Sequence, residues 1–296
     1  MNNSERLKFL SSEGVIPLDS RIISTHNNLV VASDSESIVA RISTVAQIEA
    51  RKDPGDLIYS HKMSNVIGRD GAVLSPIDER PIEFGENIIS RYPKMPIPDW
   101  SEVSGDELAE AARKLNSFPY QTAGLFRNNR IRHMNVADYV QSRLKSLDDQ
   151  PNKNAVTYIQ KILDKYRTDH CFSTAAIQSG GLVHGDMHSG NVVSANNQLL
   201  FIDLDSIAIG PREYDLASWC VRRMRGDVAP AVEATTLSVA EGLVNKDLIR
   251  SMVGWKVLSS MSHELVYNPI NSESKIIELA RIAEELEAPG DWSSNA

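Results

Sequence analysis

Over the first ninety positions, apolar residues recur in short β-branched runs broken by polar turn formers. Arg21 to His26 (RIISTH), Leu29 to Ser33 (LVVAS) and Ser37 to Ser43 (SIVARIS) are three such runs, separated by His26-Asn27-Asn28 and Asp34-Ser35-Glu36. Runs of this length between turn residues read as antiparallel strands. The spacing then changes to a helical one from about Asp56 to Ile67, with Leu57, Met63 and Ile67 as apolar anchors. Strand character returns in Ala72 to Ile77 (AVLSPI) and Glu86 to Tyr92 (ENIISRY). The expected product is a five-stranded sheet with one helix between its third and fourth strands.

Pro93 to Pro98 (PKMPIP) concentrates three prolines, which lack amide donors and resist regular pairing, so this stretch reads as a stiff connector. Beyond it, three-to-four-residue apolar spacing predicts helices over 106–118, 136–147 and 155–166. Further helices are expected at Tyr214 to Met224, Val228 to Val244, Asp247 to Leu265 and Ser274 to Glu287. The pattern implies an α+β protein: a small antiparallel β-lobe at 1–94 and a larger, mainly helical lobe at 95–296.

Composition narrows the partners. A net charge of −8 over 296 residues disfavours general attraction to nucleic-acid phosphates, whereas a cationic or polyhydroxylated small molecule is not repelled. The opening MNNSERLKFLSSEG lacks the basic flank and apolar run of a signal peptide, and no apolar stretch of about 20 residues offers a membrane span. A cytoplasmic location is expected. Cys171 and Cys220 have no second cysteine at metal-ligand or redox spacing and are expected as buried free thiols.

The chemistry is concentrated in LVHGDMHSGNVV, His184 to Asn191 with its apolar flanks, followed by LLFIDLDSI, which carries Asp203 and Asp205. A protein-kinase catalytic loop reads H-R-D-L-x-x-x-N, in which the Asp receives the acceptor's proton and the Asn binds magnesium. Asp186 and Asn191 keep that interval, while Gly185 stands where the kinase has Arg, and His188 is added. This HGDxHxxN form resembles the aminoglycoside phosphotransferase family of kinase-like small-molecule phosphotransferases, as does GPREYDLAS, Gly210 to Ser218. The resemblance implies a bilobal protein-kinase-like fold, an ATP- or GTP-dependent, Mg2+-requiring reaction and a small-molecule hydroxyl as acceptor.

Each part of such a site has a candidate. Asp186 is the expected base, and Asn191 and Asp203 supply the hard oxygen ligands that magnesium prefers beside phosphate oxygens. His184 and Asp215 are expected to hold the loop through hydrogen bonds, and His188 to brace it. For Asp205 a second metal-site contact and a structural loop role stay open. In the nucleotide half, Arg41 of VARI stands where kinases carry the phosphate-contacting Lys, and the resemblance implies that role for it. The helix over 56–67 has Ser60 and His61 where a Glu partner is customary, with Glu49 lying upstream. No G-x-G-x-x-G loop occurs. Ser24 to Asn28 takes its place, with Ser24 and Asn28 as candidate phosphate contacts, and the nucleotide base is expected against the 90–95 connector, at Tyr92.

The acceptor is an antibiotic or a metabolite such as an amino alcohol, sugar or homoserine, and Asp106, Glu107, Glu241 and Glu264 are available to cationic groups. A nucleotide-binding pseudokinase or regulatory module is the competing class. A protein kinase is disfavoured because no D-F-G or A-P-E segment follows the metal Asp. Spacing says nothing about the oligomeric state.

Overall fold

A computed structural model describes residues 2–25, 28–45, 57–119, 134–145, 147, 153–167, 180–226, 230–267 and 272–287. It divides into two compact units: Met1–Pro98 together with Asn191–Ile207, and Asp99–Gly190 together with Ala208–Ala296. The segment expected to carry the metal ligands, Asn191–Ile207, groups with the sheet-bearing unit.

That unit opens with a helix, α1 (Asn3–Ser12), for which sequence periodicity gave no expectation. Its start is held by a capping box in which the Asn2 side chain accepts from Glu5 N–H and Glu5 reaches back to Asn2 N–H, an arrangement worth about 1 kcal/mol. Strands β1 (Arg21–Ser24), β2 (Leu29–Ser33) and β3 (Ile38–Thr44) follow, then α2 (Leu57–Ile67), β4 (Ile82–Phe84) and β5 (Asn87–Pro93). The sheet is antiparallel in the order β1-β2-β3-β5-β4. β3 and β5 pair along their full length, from Ile38↔Pro93 to Thr44↔Asn87. One face buries Leu29, Val31, Ala40, Ile42 and Ile89 against Leu10 of α1 and Ile16, each larger aliphatic side chain contributing about 1.5–3 kcal/mol.

The expected strand at 72–77 is not one. Val73 forms a single parallel bridge to Phe201, Leu74 N–H donates to Phe201 C=O at 2.9 Å and Ile77 N–H to Arg91 C=O at 2.8 Å. Pro76 lacks an amide hydrogen and interrupts any longer ladder, and the fourth strand is Ile82–Phe84 instead. The connector is likewise tied down within this unit: Lys94 N–H donates to Ser37 C=O at 2.7 Å and Ser194 N–H to Pro96 C=O at 2.9 Å.

The unit with the helical core holds α3 (Gly105–Asn116), α4 (Val136–Lys145), α5 (Lys153–Arg167), β6 (Gly180–Val183), β9 (Ala208–Pro211), α6 (Glu213–Met224), α7 (Pro230–Ala240), α8 (Lys246–Tyr267) and α9 (Ser272–Glu287). Between β6 and β9 in sequence lie β7 (Val192–Ala195) and β8 (Gln198–Phe201) of the other unit. A capping box of Ser104 and Glu107 starts α3. α4, α5, α6, α8 and α9 share one apolar core that includes Val140, Leu163, Ala217, Met252, Leu258 and Ile282. These helices fall within a few residues of the spans that periodicity predicts. No described helix is long and apolar enough to cross a membrane. Glu49, Asp56, Cys171 and Val228 lie outside the described residues.

Candidate active site

The HGD loop is built by the short strand before it and the helix after β9. β6 is buried from Gly181 to Val183 and pairs antiparallel with β9, Val183 opposite Ala208, which brings the first turn of α6 to the loop. There Asp215 is fully buried. Its Oδ2 accepts from His184 N–H at 2.8 Å and its Oδ1 from Gly185 N–H at 2.9 Å. Asn116 of α3 donates through Nδ2 to Leu182 C=O at 2.8 Å and to Asp215 at 3.4 Å. Burial pushes the Asp215 pKa up, and the two amides and His184 counter this only in part. Gly185 has φ +81°, a left-handed conformation that side chains resist, so this position of the motif requires glycine. His184 is buried, and its Nδ1 accepts from Asp186 N–H at 3.3 Å.

This bracing presents Asp186 half-exposed. Lys256, midway along α8, donates to its Oδ1 at 3.0 Å and to Gly185 C=O at 3.3 Å. His188 Nδ1 accepts from Gly190 N–H at 3.0 Å, which assigns the neutral ring's proton to Nε2, 3.6 Å from Asp186 Oδ2. Partial burial raises the Asp186 pKa, but the Lys256 ammonium, with His188, outweighs it and holds the carboxyl well below its ordinary value. Asp186 is thus an ionised carboxylate with one oxygen held by an ammonium.

The nucleotide-side candidates belong to the other unit. β7 and β8 form a hairpin closed by Asn196 and Asn197, both at positive φ, as a two-residue turn of this hand requires. At its open end Ile202 N–H donates to Asn191 C=O at 2.9 Å, which sets Asn191 beside the approach to Asp203. Asp203 is itself left-handed, φ 63° and ψ 64°, a conformation that Asp tolerates better than most residues, at about 1–3 kcal/mol. Arg41 of β3 is largely buried and places Nη2 3.1 Å from Asp203 Oδ1 and 2.9 Å from Asp205 Oδ2, while Nη1 donates to Ser60 Oγ at 3.3 Å. Burial opposes the guanidinium charge, but Asp203 and then Asp205 outweigh it and raise the Arg41 pKa above its ordinary value.

Ser60, from the helix turn where a Glu is customary, therefore meets Arg41 as a neutral hydroxyl, and Asp205 brings a carboxylate from the segment after β8. Neighbouring His61 is fully buried, with Nδ1 2.5 Å from Ser90 Oγ.

The remaining nucleotide candidates are less defined. Ser24 ends β1 and Asn28 is buried just before β2, while His26 and Asn27 between them lie outside the described residues. Tyr92 sits within β5, buried in an apolar cluster with Leu74 and Val193 that Met95, Leu200 and Ile202 flank. The backbone expected to read a base is mostly committed: Ser90 to Pro93 are paired with β3, and Lys94 N–H is bonded to Ser37.

Sequence reasoning missed Lys256, because a lysine inside an amphipathic helix carries no local mark of its target. It also missed Asn116. Three of the four acids offered to a cationic acceptor have other partners: Glu107 caps α3, Glu241 pairs with Arg113, and Glu264 pairs with Lys275, while Asp106 lies in the first turn of α3.

Residues 93–242 match the model of a family described as phosphotransferase enzyme family, APH. Among solved structures the chain is similar to amicoumacin kinase hAmiN in complex with AMP-PNP, Ca2+ and Ami, with TM-score 0.66, 13% identity and 100% of each chain covered. It is similar to APH(2")-IIia in complex with GDP and kanamycin, with TM-score 0.65 and 15% identity over 98% of this chain and 100% of that one. A choline/ethanolamine kinase family protein from Mesorhizobium loti gives TM-score 0.62 and 14% identity over 99% of this chain and 97% of that one. At such identities the likeness establishes the kinase-like α+β fold. No curated protein matched the chain by sequence.

Proposed function

Because this chain belongs to the phosphotransferase enzyme family, we propose that it transfers the γ-phosphoryl group of ATP or GTP to a hydroxyl of a small molecule. The observation that carries this reading is the ionised Asp186, fixed by a loop whose amides are pinned to Asp215. In the transfer the acceptor oxygen forms a bond to the γ-phosphorus. The bond from that phosphorus to the β–γ bridging oxygen breaks, its electron pair leaving on the nucleoside diphosphate, and the hydroxyl proton passes to Asp186. A carboxylate of lowered pKa suits this chemistry, because a loose transition state asks the base mainly to orient the hydroxyl and to receive its proton late.

In the nucleotide half, Arg41 is the cation for the phosphates, and the apolar cluster around Tyr92 is the surface for the base. Asn191 and Asp203 would hold magnesium: an amide oxygen and a carboxylate oxygen are hard donors, and they flank the open end of one hairpin. When bound, that ion neutralises phosphate charge and orients the γ-phosphoryl group. The GDP, kanamycin, AMP-PNP and Ami held by similar structures support a nucleotide donor and an antibiotic-like acceptor.

The test is to incubate the purified protein with Mg2+ and either ATP or GTP against kanamycin, amicoumacin, spectinomycin, choline, ethanolamine, sugars and homoserine. Nucleoside diphosphate release and product mass are read together. The expected result is one acceptor gaining a single phosphoryl group, with Asp186→Asn lowering kcat by at least about 100-fold. Equal turnover by Asp186→Asn would remove the assigned base.

A further inference from the structure

We propose that Lys256 is a positioning residue of the phosphotransfer site: its ammonium clamps Asp186 through Oδ1 and fixes the carboxylate that orients the acceptor hydroxyl. This rests on the phosphotransferase reading above. Three observations converge on it. Lys256 is only 13% exposed, although a lysine on a surface helix ordinarily carries its charge to water. Its Nζ contacts both the carboxylate and the Gly185 carbonyl, so it grips the loop on either side of the Gly185–Asp186 bond. The same ammonium lies 5.7 Å from the centroid of the Tyr214 ring, whose face adds to its hold.

The loop itself contains no lysine, HGDMHSGN reading His, Gly, Asp, Met, His, Ser, Gly, Asn. The cation is supplied from α8, 70 residues downstream and beyond the segment 93–242 that matches the family model. Burying a lysine costs solvation unless its charge is compensated, and the compensating charge comes first from Asp186. Lys256 and His188 both face Asp186 in turn. Lys256 remains charged throughout the reaction and takes no proton. Its contribution is to lock the carboxylate rotamer, where a displacement of about 1 Å costs on the order of 100-fold.

The experiment compares wild type with Lys256→Met, Lys256→Gln and Lys256→Arg by two readouts. The first is steady-state transfer to the acceptor identified in the panel, or Mg-ATP hydrolysis with water as acceptor if none is found. Lys256→Met and Lys256→Gln are expected to lower kcat by about 10- to 100-fold with acceptor KM changed less than about threefold, and Lys256→Arg to restore most of the loss. The second is the 13C carboxyl titration of Asp186, assigned by its loss in Asp186→Asn. Its midpoint should rise by about 1–3 units when the ammonium is removed and stay low in Lys256→Arg. If one neutral variant does not fold, the other and the Arg variant carry the comparison. An unmoved titration together with kcat within about twofold of wild type overturns the proposal. Wild-type protein that neither transfers nor hydrolyses refutes the phosphotransferase reading instead, while the titration still reports whether Lys256 and Asp186 are paired.

Discussion

Replacing Asp215 with alanine tests whether the catalytic loop owes its shape to α6 rather than to its own residues. The side chain accepts two backbone amides, at 2.8 and 2.9 Å, in a fully buried setting. Hydrogen bonds to a charged acceptor are worth about 1.5–3 kcal/mol each, and a stranded buried amide costs about 1–3 kcal/mol. Burial of the carboxylate, which pushes its pKa up, offsets part of that gain. The net loss is expected at about 2–4 kcal/mol, a shift of roughly 1 M in the urea midpoint for a slope near 3 kcal/mol/M. Fluorescence of Trp100, Trp219 and Trp255, all in the same unit as Asp215, follows the transition. The pH dependence has a definite sign. The folded-state pKa is raised, so the native state binds more protons between the unfolded and folded values. The proton-linked part of the Asp215 contribution is fully present below the unfolded value near 3.8 and is lost as pH rises through the folded one, leaving the two amide contacts at pH 7. Asp215→Ala should therefore flatten a fall in stability above about pH 4. A midpoint within about 0.2 M of wild type at pH 7, or wild-type phosphotransfer by the variant, would show that the loop stands without Asp215.

Arg41→Met leaves Asp203 and Asp205 without the guanidinium that bridges them at 3.1 and 2.9 Å. It should cost about 2–4 kcal/mol by urea denaturation, with Arg41→Met/Asp205→Asn recovering about 1–2 kcal/mol as a non-additive cycle. Additive single effects would show that the three groups do not act together. Gly185→Ala forces a side chain into φ +81° and should lower stability by about 1–2 kcal/mol while reducing phosphotransfer more than Gly226→Ala, a change at another left-handed glycine away from the loop. Cys220 is buried, and burial pushes its thiol pKa up to about 11. In a Cys171→Ser background it should resist Ellman's reagent at pH 8 until urea unfolds the protein, and rapid native labelling would contradict its place in the core.

The signals legible in the sequence were those carried by neighbours in the chain. β2, β3 and most described helices lie within a few residues of their periodicity, because apolar spacing reports directly which face of an element is buried. The expectation failed at Ala72 to Ile77, where a short apolar run after Gly71 and interrupted by Pro76 makes one bridge and then leaves the ladder. It also gave no sign of α1, whose apolar positions are few and whose signature is the Asn2–Glu5 cap.

By itself, then, the sequence determined the α+β class, the phosphotransfer motif and the candidates Asp186, Asn191 and Asp203, since these share one short stretch of chain whose chemistry depends on residue type and interval. Only the tertiary structure decided what surrounds them. Asp215 reaches the loop across 30 residues, Lys256 reaches Asp186 across 70, and Asp205 reaches Arg41 across 164. Contacts of that separation are set by which strands pair and which helix faces share a core. A lysine or an aspartate reads the same in the sequence whether it ends in water or against a buried charge.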